Sequence, residues 1–282
     1  MSPSSADARR AAVLGSPIGH SLSPTLHRAA YEVLGLGWRY DAFDVDESHL
    51  RGFLDEVRAD PAWVGLSLTM PLKEQALSLA DTASEVARAT QAANTLIVGD
   101  GRLHADNTDP TGITWALARA GIADLHGHQP VVMGAGATAR SAIAAVASLG
   151  ATDAIVSARR PEAITELAVV AADLGVNVSA ASLRDGSQLL TAGLVISTLP
   201  AGVMDQFSDA VPELPGVLFD VIYAPWPTSL AQSWVARGGA VVGGLEMLVG
   251  QAGRQVELMT GRSAPLAEML AAGLAAQQRV AP

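Results

Sequence analysis

The chain has 282 residues, nearly half of them apolar, enough for two domains with ordinary cores. It contains no cysteine, which excludes disulfides, thiolate nucleophiles and cysteine-ligated metals and suits a reducing cytoplasm. The net charge of −10 with scattered basic residues argues against nucleic acid as a partner, no apolar run is long enough to span a membrane, and Met1–Arg10 lacks the apolar stretch of a signal peptide.

Short apolar runs alternate with helical patterns along the chain. Ala11–Gly15 reads as a buried strand. Ser23-Pro24 then has the pattern of an N-cap followed by proline, and Leu26, Ala30 and Val33 form a helical stripe. Arg39–Val45 and Trp63–Thr69 are predicted strands, with a helix near Ser48–Arg58 between them and another starting near Pro71. Asn94–Val98 and Arg102–Asp106 flank Gly99-Asp100-Gly101, a hairpin signal. Asp109-Pro110 opens a helix ending at Gly121, with Asp109 as a candidate cap.

A second series begins at Pro130. Its predicted strands are Val131–Met133, Ala154–Ala158, Val176–Ala180, Leu194–Thr198, Val217–Ile222 and Ala240–Val242. Helices are expected at about 138–149, 161–174 and 228–237, and then near Glu246–Thr260 and Pro265–Gln278. Such alternation implies mostly parallel sheets covered on both faces.

Val131–Met133 runs into Gly134-Ala135-Gly136-Ala137-Thr138-Ala139 and then a helix, the strand–turn–helix setting that a dinucleotide turn needs. Gly134 permits the tight turn. Gly136 lets the backbone approach a pyrophosphate at the helix N-terminus, and Ala139 allows close helix–strand packing. The next strand ends in Ser157-Ala158-Arg159-Arg160, with no acid to hold a ribose 2′-hydroxyl. Two arginines there favour the 2′-phosphate of NADP.

In the first half, Gly15–Pro24 is rich in turn formers and hydroxyls directly after a strand, where open αβ sheets bind ligands. Ser21 and Ser23 can donate to a carboxylate. His20 and His27 have no acid nearby in sequence and read as surface or packing residues. Lys73, the only lysine, falls in the first turn of a predicted helix. That is the wrong end of the dipole for a cation and a placement that suits proton transfer.

Taken together, GSPIGHSLSP (15–24), SLTMPLK (67–73), ANT (93–95), DNTD (106–109), the GAGATAR turn, YAPWPTSL (223–230) and GLEMLVGQA (244–252) resemble the shikimate dehydrogenase family, in order and over nearly the whole chain. The resemblance implies an α/β fold of two αβ domains around a cleft. The N-terminal substrate domain, with a mixed sheet, would span 1–110 and be completed by C-terminal helices from about 246 to 282. A Rossmann-type NADP domain would span 111–245.

The roles it implies are as follows. Lys73 and Asp109 form the catalytic pair. Ser21 and Ser23 bind the substrate carboxylate, and Ser67, Thr69, Asn94 and Gln251 its ring hydroxyls, with Tyr223 closing the pocket. The cofactor lies on Gly134, Gly136, Ala137, Thr138 and Ala139, near Arg159 and Arg160, with Thr198, Leu199 and Pro200 by a ribose and Ile222, Gly244 and Met247 by the nicotinamide. The activity is reduction of 3-dehydroshikimate to shikimate with NADP, on the way to chorismate and the aromatic amino acids. The expected partners are that small molecule and NADP, with no metal, nucleic acid or membrane and a homodimer permitted. The chain departs from the family pattern where Ser67 replaces a common Asn, Ala158-Arg159-Arg160 replaces Asn-Arg-Thr, and Ser197-Thr198-Leu199-Pro200 replaces Asn-Ala-Thr-Pro. The alternatives are an NAD-dependent quinate or amino-analogue paralogue, disfavoured by the missing strand-end acid, and a silent nucleotide-binding sensor, disfavoured by Lys73 and Asp109.

Overall fold

The computed structural model describes residues 9–280. Most of the Met1–Arg10 stretch therefore lies outside the described residues. The chain divides into two compact units, one holding residues up to Thr108 together with Val249 onward, the other Asp109–Leu248.

The first unit is built on β1 (Arg10–Gly15), α1 (Ser23–Val33), β2 (Arg39–Asp44), α2 (Glu47–Ala59), β3 (Trp63–Leu68), α3 (Lys73–Leu79), β4 (Thr82–Ala83), α4 (Glu85–Thr90), β5 (Thr95–Gly99) and β6 (Arg102–Asp106). Its six strands lie in the order β2-β1-β3-β5-β6-β4. β1 and β3 are buried along almost their whole length, as their unbroken apolar runs require of strands covered on both faces. β1 pairs in parallel with β2 and β3, whereas β5 is antiparallel to β3 and β6, so the sheet is mixed. The β5–β6 reversal places Asp100 at φ 52 and Gly101 at φ 69. Two left-handed residues in a two-residue loop match the twist of the flanking strands, which is why Asp-Gly signals a hairpin. Leu14, Leu50, Leu54, Leu66, Leu72, Leu96 and Leu103 form the core of this unit.

The second unit holds α5 (Asp109–Arg119), β7 (Val131–Met133), α6 (Ala137–Ser148), β8 (Asp153–Ala158), α7 (Pro161–Asp173), β9 (Asn177–Ser182), α8 (Gly186–Leu189), β10 (Leu194–Ser197), β11 (Val217–Asp220), α9 (Ser229–Ala236) and β12 (Ala240–Val242). The strand order is β12-β11-β10-β7-β8-β9, all parallel. The chain winds outward from β7 in one direction and then from β10 in the other, so the switch point lies between those two strands. One core cluster joins α5, α6 and α7 to the sheet, and another holds Leu218, Leu230 and Trp234. Two helices follow, α10 (Gly244–Thr260) and α11 (Leu266–Val280), and the division between units falls inside α10. α11 packs against α1. Among the described residues no helix is long and apolar enough to cross a membrane.

The structure corrects several local expectations. Ser23 is the first helical residue rather than the cap; Leu22 holds that position without a side-chain cap bond, and Ser21 Oγ accepts from Ser23 N at 3.3 Å. The serine two residues back forms the turn that Ser23 was expected to make. The helix expected near Pro71 starts at Lys73. The strand expected at 176–180 is shifted to β9, and the short elements β4, α4 and α8 lack periodicity long enough to read.

The indole of Trp234 is fully buried and donates Nε1 to Gly216 O at 2.9 Å. Trp234→Ala should therefore cost about 3–5 kcal/mol, the scale for emptying a buried aromatic site. Urea unfolding measures it; a loss below about 1 kcal/mol would mean that the cluster around Trp234 contributes little to the stability of the unit.

Candidate active site

The sheet of the first unit gathers its polar residues at one edge. Leu14 and Leu68 pair near the ends of β1 and β3, and β5 begins at Thr95 opposite Ser67 and Asp106. The loops after β1, β3 and β6 and the residue before β5 therefore meet at the same side. Backbone bonds tie them together: Thr69 N donates to Leu14 O at 2.9 Å, Ser16 N to Met70 O at 3.1 Å, Leu68 N to Asn94 O at 2.7 Å and Ala93 N to Lys73 O at 2.9 Å. A Cβ on Gly15 would run into the Thr69 side chain, so glycine is needed there for the two loops to close. Ser21 and Thr69 are half-buried, Ser23 is buried, and Lys73 opens α3 half-buried.

Behind this edge lies a buried hydrogen-bond network of Tyr40, Ser67, Asn94, Thr95, Thr108, Gln251, Gln255 and His27, each no more than 6% exposed. Asn94 Oδ1 accepts from Thr95 Oγ1 at 2.7 Å and from Thr108 N at 2.8 Å. Asn94 Nδ2 donates to Gln251 Oε1 at 3.1 Å. Of the residues expected to hold ring hydroxyls, Asn94 and Gln251 are thus brought together directly. Ser67 accepts from Tyr40 OH at 2.6 Å and gives its own hydrogen to Gln255 Oε1 at 2.7 Å. His27 stacks on Tyr40 at 3.9 Å, and burial lowers its pKa from 6.5 to about 3, against a smaller raising effect of its bond to Gln255. His20 is exposed. Tyr40 and Gln255 lie in none of the motifs; only the four-residue spacing of Gln251 and Gln255 on one helix marks Gln255.

In the second unit, the ends of β7, β8, β10, β11 and β12 carry the cofactor candidates. Gly134 has φ +119 and donates its N–H to Ser157 O at 2.7 Å. A Cβ there would collide with Thr198 Oγ1, and Thr198 Oγ1 and N both donate to Met133 O, at 2.9 and 2.8 Å. Gly136 differs. It caps α6 at φ −90, is exposed, and a Cβ on it would meet nothing within 4 Å. Neither its conformation nor its neighbours require glycine, which fits close approach by a group from outside the chain. Ala137 and Thr138 follow half-buried, Ala139 is buried against the core, and the first turn of α6 has neither an acid nor a side-chain cap. Its N–H groups are set for an anion such as a pyrophosphate.

Arg159 and Arg160 follow β8 and are exposed. Among the described residues neither guanidinium has an ion pair, so both can meet a phosphate. Leu199 and Ile222 are half-buried, Pro200 is exposed, and Met247 packs in the core of this unit. Gly244 has an internal reason: a Cβ would strike Val221 O. The loop carrying Tyr223 is clamped on Asp220, whose carboxylate accepts from Ile222 N at 3.2 Å and Thr228 Oγ1 at 2.9 Å while burial pushes its pKa up. Burial also raises the Tyr223 phenol. The motif reading passed over Asp220, although an acid ending an apolar strand eight residues before a helix-capping Thr228 is its signal. Asp109 is buried at the start of α5. Among the described residues no group of three metal-ligating side chains occurs.

Two family models match the chain: a shikimate dehydrogenase substrate binding domain over residues 13–96 and a shikimate 5′-dehydrogenase C-terminal domain over residues 244–272. A shikimate dehydrogenase (NADP(+)) of Moorella thermoacetica is 34% identical over 269 residues, covering 92% of this chain and 90% of its own. The crystal structure of Mycobacterium tuberculosis shikimate dehydrogenase is 38% identical with a TM-score of 0.87, over 95% of this chain and 99% of that one. That of the Thermus thermophilus enzyme in complex with NADP(H) and shikimate is 34% identical with a TM-score of 0.84, with the same coverage.

His27 supplies a pH test. Its folded pKa of about 3 lies below the unfolded 6.5, so between these values the unfolded chain binds a proton that the folded chain refuses. Stability is present above pH 6.5 and falls as pH drops through that window, by about 1.4 kcal/mol per pH unit for one proton. His27→Gln should lose this part of the slope, read from urea unfolding at a series of pH values. Identical slopes in parent and variant would show that the folded protein accepts the proton.

Proposed function

Because the chain belongs to the shikimate dehydrogenase family, we propose that it catalyses the reversible NADP-dependent reduction of 3-dehydroshikimate to shikimate. The observation that carries this reading is the fixed Asn94–Gln251 pair beside Thr69 and Lys73, in a chain whose relatives over nine-tenths of its length are shikimate dehydrogenases. A cyclic acid bearing ring hydroxyls calls for directional donors at an otherwise apolar edge. Ser21 and Ser23 would hold the carboxylate, and Thr69, Asn94 and Gln251 the hydroxyls. Tyr223, on its clamped loop, would close the pocket.

NADPH supplies the hydride when bound. The chain's own task is the proton: Lys73 gives it to the ring oxygen in reduction and takes it back in oxidation. Asp109 would hydrogen-bond the same oxygen and balance the charge of Lys73. The turn from Gly134 to Ala139 would take the pyrophosphate, and Arg159 and Arg160 the 2′-phosphate, with Thr198, Leu199, Pro200, Ile222, Gly244 and Met247 around the rest. The pathway role would be supply of shikimate toward chorismate and the aromatic amino acids. The cysteine-free composition suits work in the cytoplasm.

Lys73→Ala should lower kcat by roughly 10²–10⁴-fold with much less change in shikimate affinity, because the proton moves in the transition state. Steady-state NADPH formation from shikimate checks it; a near-parental kcat would remove Lys73 from the mechanism. Arg159→Ala should weaken NADP about 10- to 100-fold and leave NAD nearly unchanged, since one hydrogen bond to a charged group is worth about 1.5–3 kcal/mol. Arg160→Ala should do less, because Arg160 stands where the family pattern has a threonine. Equal losses for both cofactors would show that the arginines only support the loop.

A further inference from the structure

The buried network of the first unit has a single direction, and two backbone groups fix it. Asn94 O can only accept, and it lies 3.3 Å from one end of the Gln255 amide, so that end is Nε2. Thr108 N can only donate, and it lies 2.8 Å from one end of the Asn94 amide, so that end is Oδ1.

The polarity of the chain from Tyr40 to Gln251 follows. Gln255 Nε2 donates to Thr95 Oγ1 at 3.0 Å, so the Thr95 hydrogen goes to Asn94 Oδ1. Asn94 Nδ2 then faces Gln251 Oε1. On the other side, Gln255 Oε1 must be met by donors. Ser67 gives it its only hydrogen, so Tyr40 OH must donate to Ser67. His27 gives Nε2–H at 3.2 Å, which fixes its neutral tautomer and leaves Nδ1 buried without a partner. The chain of donors runs Tyr40, Ser67, Gln255, Thr95, Asn94, Gln251. Gln255 uses all four of its hydrogen-bonding positions.

We propose that Gln255 is a positioning residue for the substrate pocket: by bonding Asn94 O and Thr95 Oγ1 it holds Asn94, whose amide Thr108 N orients, and with it Gln251, in the place where both meet the ligand's oxygens as donors. Tyr40 is the far end of the same chain. Ser67 belongs to it as well and acts through Gln255 rather than on the ligand. The proposal rests on the shikimate reading of the site.

The test uses full-length protein carrying Gln255→Met or Tyr40→Phe. Melting temperature, kcat and the KM for shikimate and for NADP are measured on each. Gln255→Met should raise the shikimate KM about 10-fold or more and leave the NADP KM within about twofold, the scale of a lost, fully buried hydrogen-bond set. Tyr40→Phe should act in the same direction but less. A folded Gln255→Met with a lower melting temperature and an unchanged shikimate KM would overturn the proposal, because Gln255 would then serve stability alone. If Gln255→Met does not fold, an unchanged shikimate KM in Tyr40→Phe overturns it. A separate reading does not depend on turnover: nitrogen NMR of the parent should find His27 neutral with its proton on Nε2 from about pH 5 to 8. A proton on Nδ1 would reverse the chain and sink the proposal. Should the parent fail to turn over shikimate, the functional reading falls, and the NMR result alone judges the network.

Discussion

A polar group taken out of water must find a partner inside the protein, and the first unit rests on this constraint. The ends of its central strands bring Ser67, Asn94, Thr95 and Thr108 into a region where no side chain is more than 3% exposed. An unsatisfied amide there would cost about 1–3 kcal/mol. Gln255 meets three of these residues and His27 as well, and its amide has no other orientation that avoids setting two carbonyl oxygens against each other. A fully satisfied network in a low-dielectric interior is rigid as well as stable. Rigidity is what a pocket needs when it must tell hydroxyl-bearing rings from one another.

The second unit meets the opposite requirement, which is to leave backbone groups unmet. Its glycine turn shows how two residues of one motif can have different reasons. Gly134 is demanded from within, by its left-handed φ and by Thr198, whose two bonds to Met133 O hold the turn. Gly136 has no such internal reason, since nothing in the chain occupies the space beside it, and that space would admit a group from outside. The uncapped first turn of α6 then has the N–H groups of a helix end to offer. Gly244 joins the first kind, because its neighbour is the Val221 carbonyl.

Much of this was legible in the sequence, and the exceptions share a cause. The Asp100-Gly101 hairpin and the glycine-rich strand–turn–helix depend on local backbone chemistry, so their residues announce them. Ser23 misled because serine before proline suits a cap, but the turn was already made by Ser21. Ser67 has partners that its motif does not show: Tyr40 and Gln255 lie 27 and 188 residues away. Tyr40 and Gln255 are hidden for the same reason: a hydrogen bond between distant segments leaves no mark on either segment alone.

The net charge of −10 sharpens the question of how an anionic ligand is held. At long range the chain repels a carboxylate or a dinucleotide, and only groups at contact distance can reverse this. The two units offer different means. On the second, the exposed guanidinium groups of Arg159 and Arg160 and the helix end at Gly136 present positive potential that would suit phosphates. On the first, the buried groups behind the polar edge are neutral, chiefly the hydroxyls and amides of Ser67, Asn94, Thr95, Thr108, Gln251 and Gln255. Neutral donors with a fixed direction stabilise an oxygen without presenting a charge that must itself be neutralised when the pocket is empty. On the proposed reading, Lys73, the one lysine of the chain, would put its positive charge where a proton must move, and binding would be left to groups whose orientation the buried network holds.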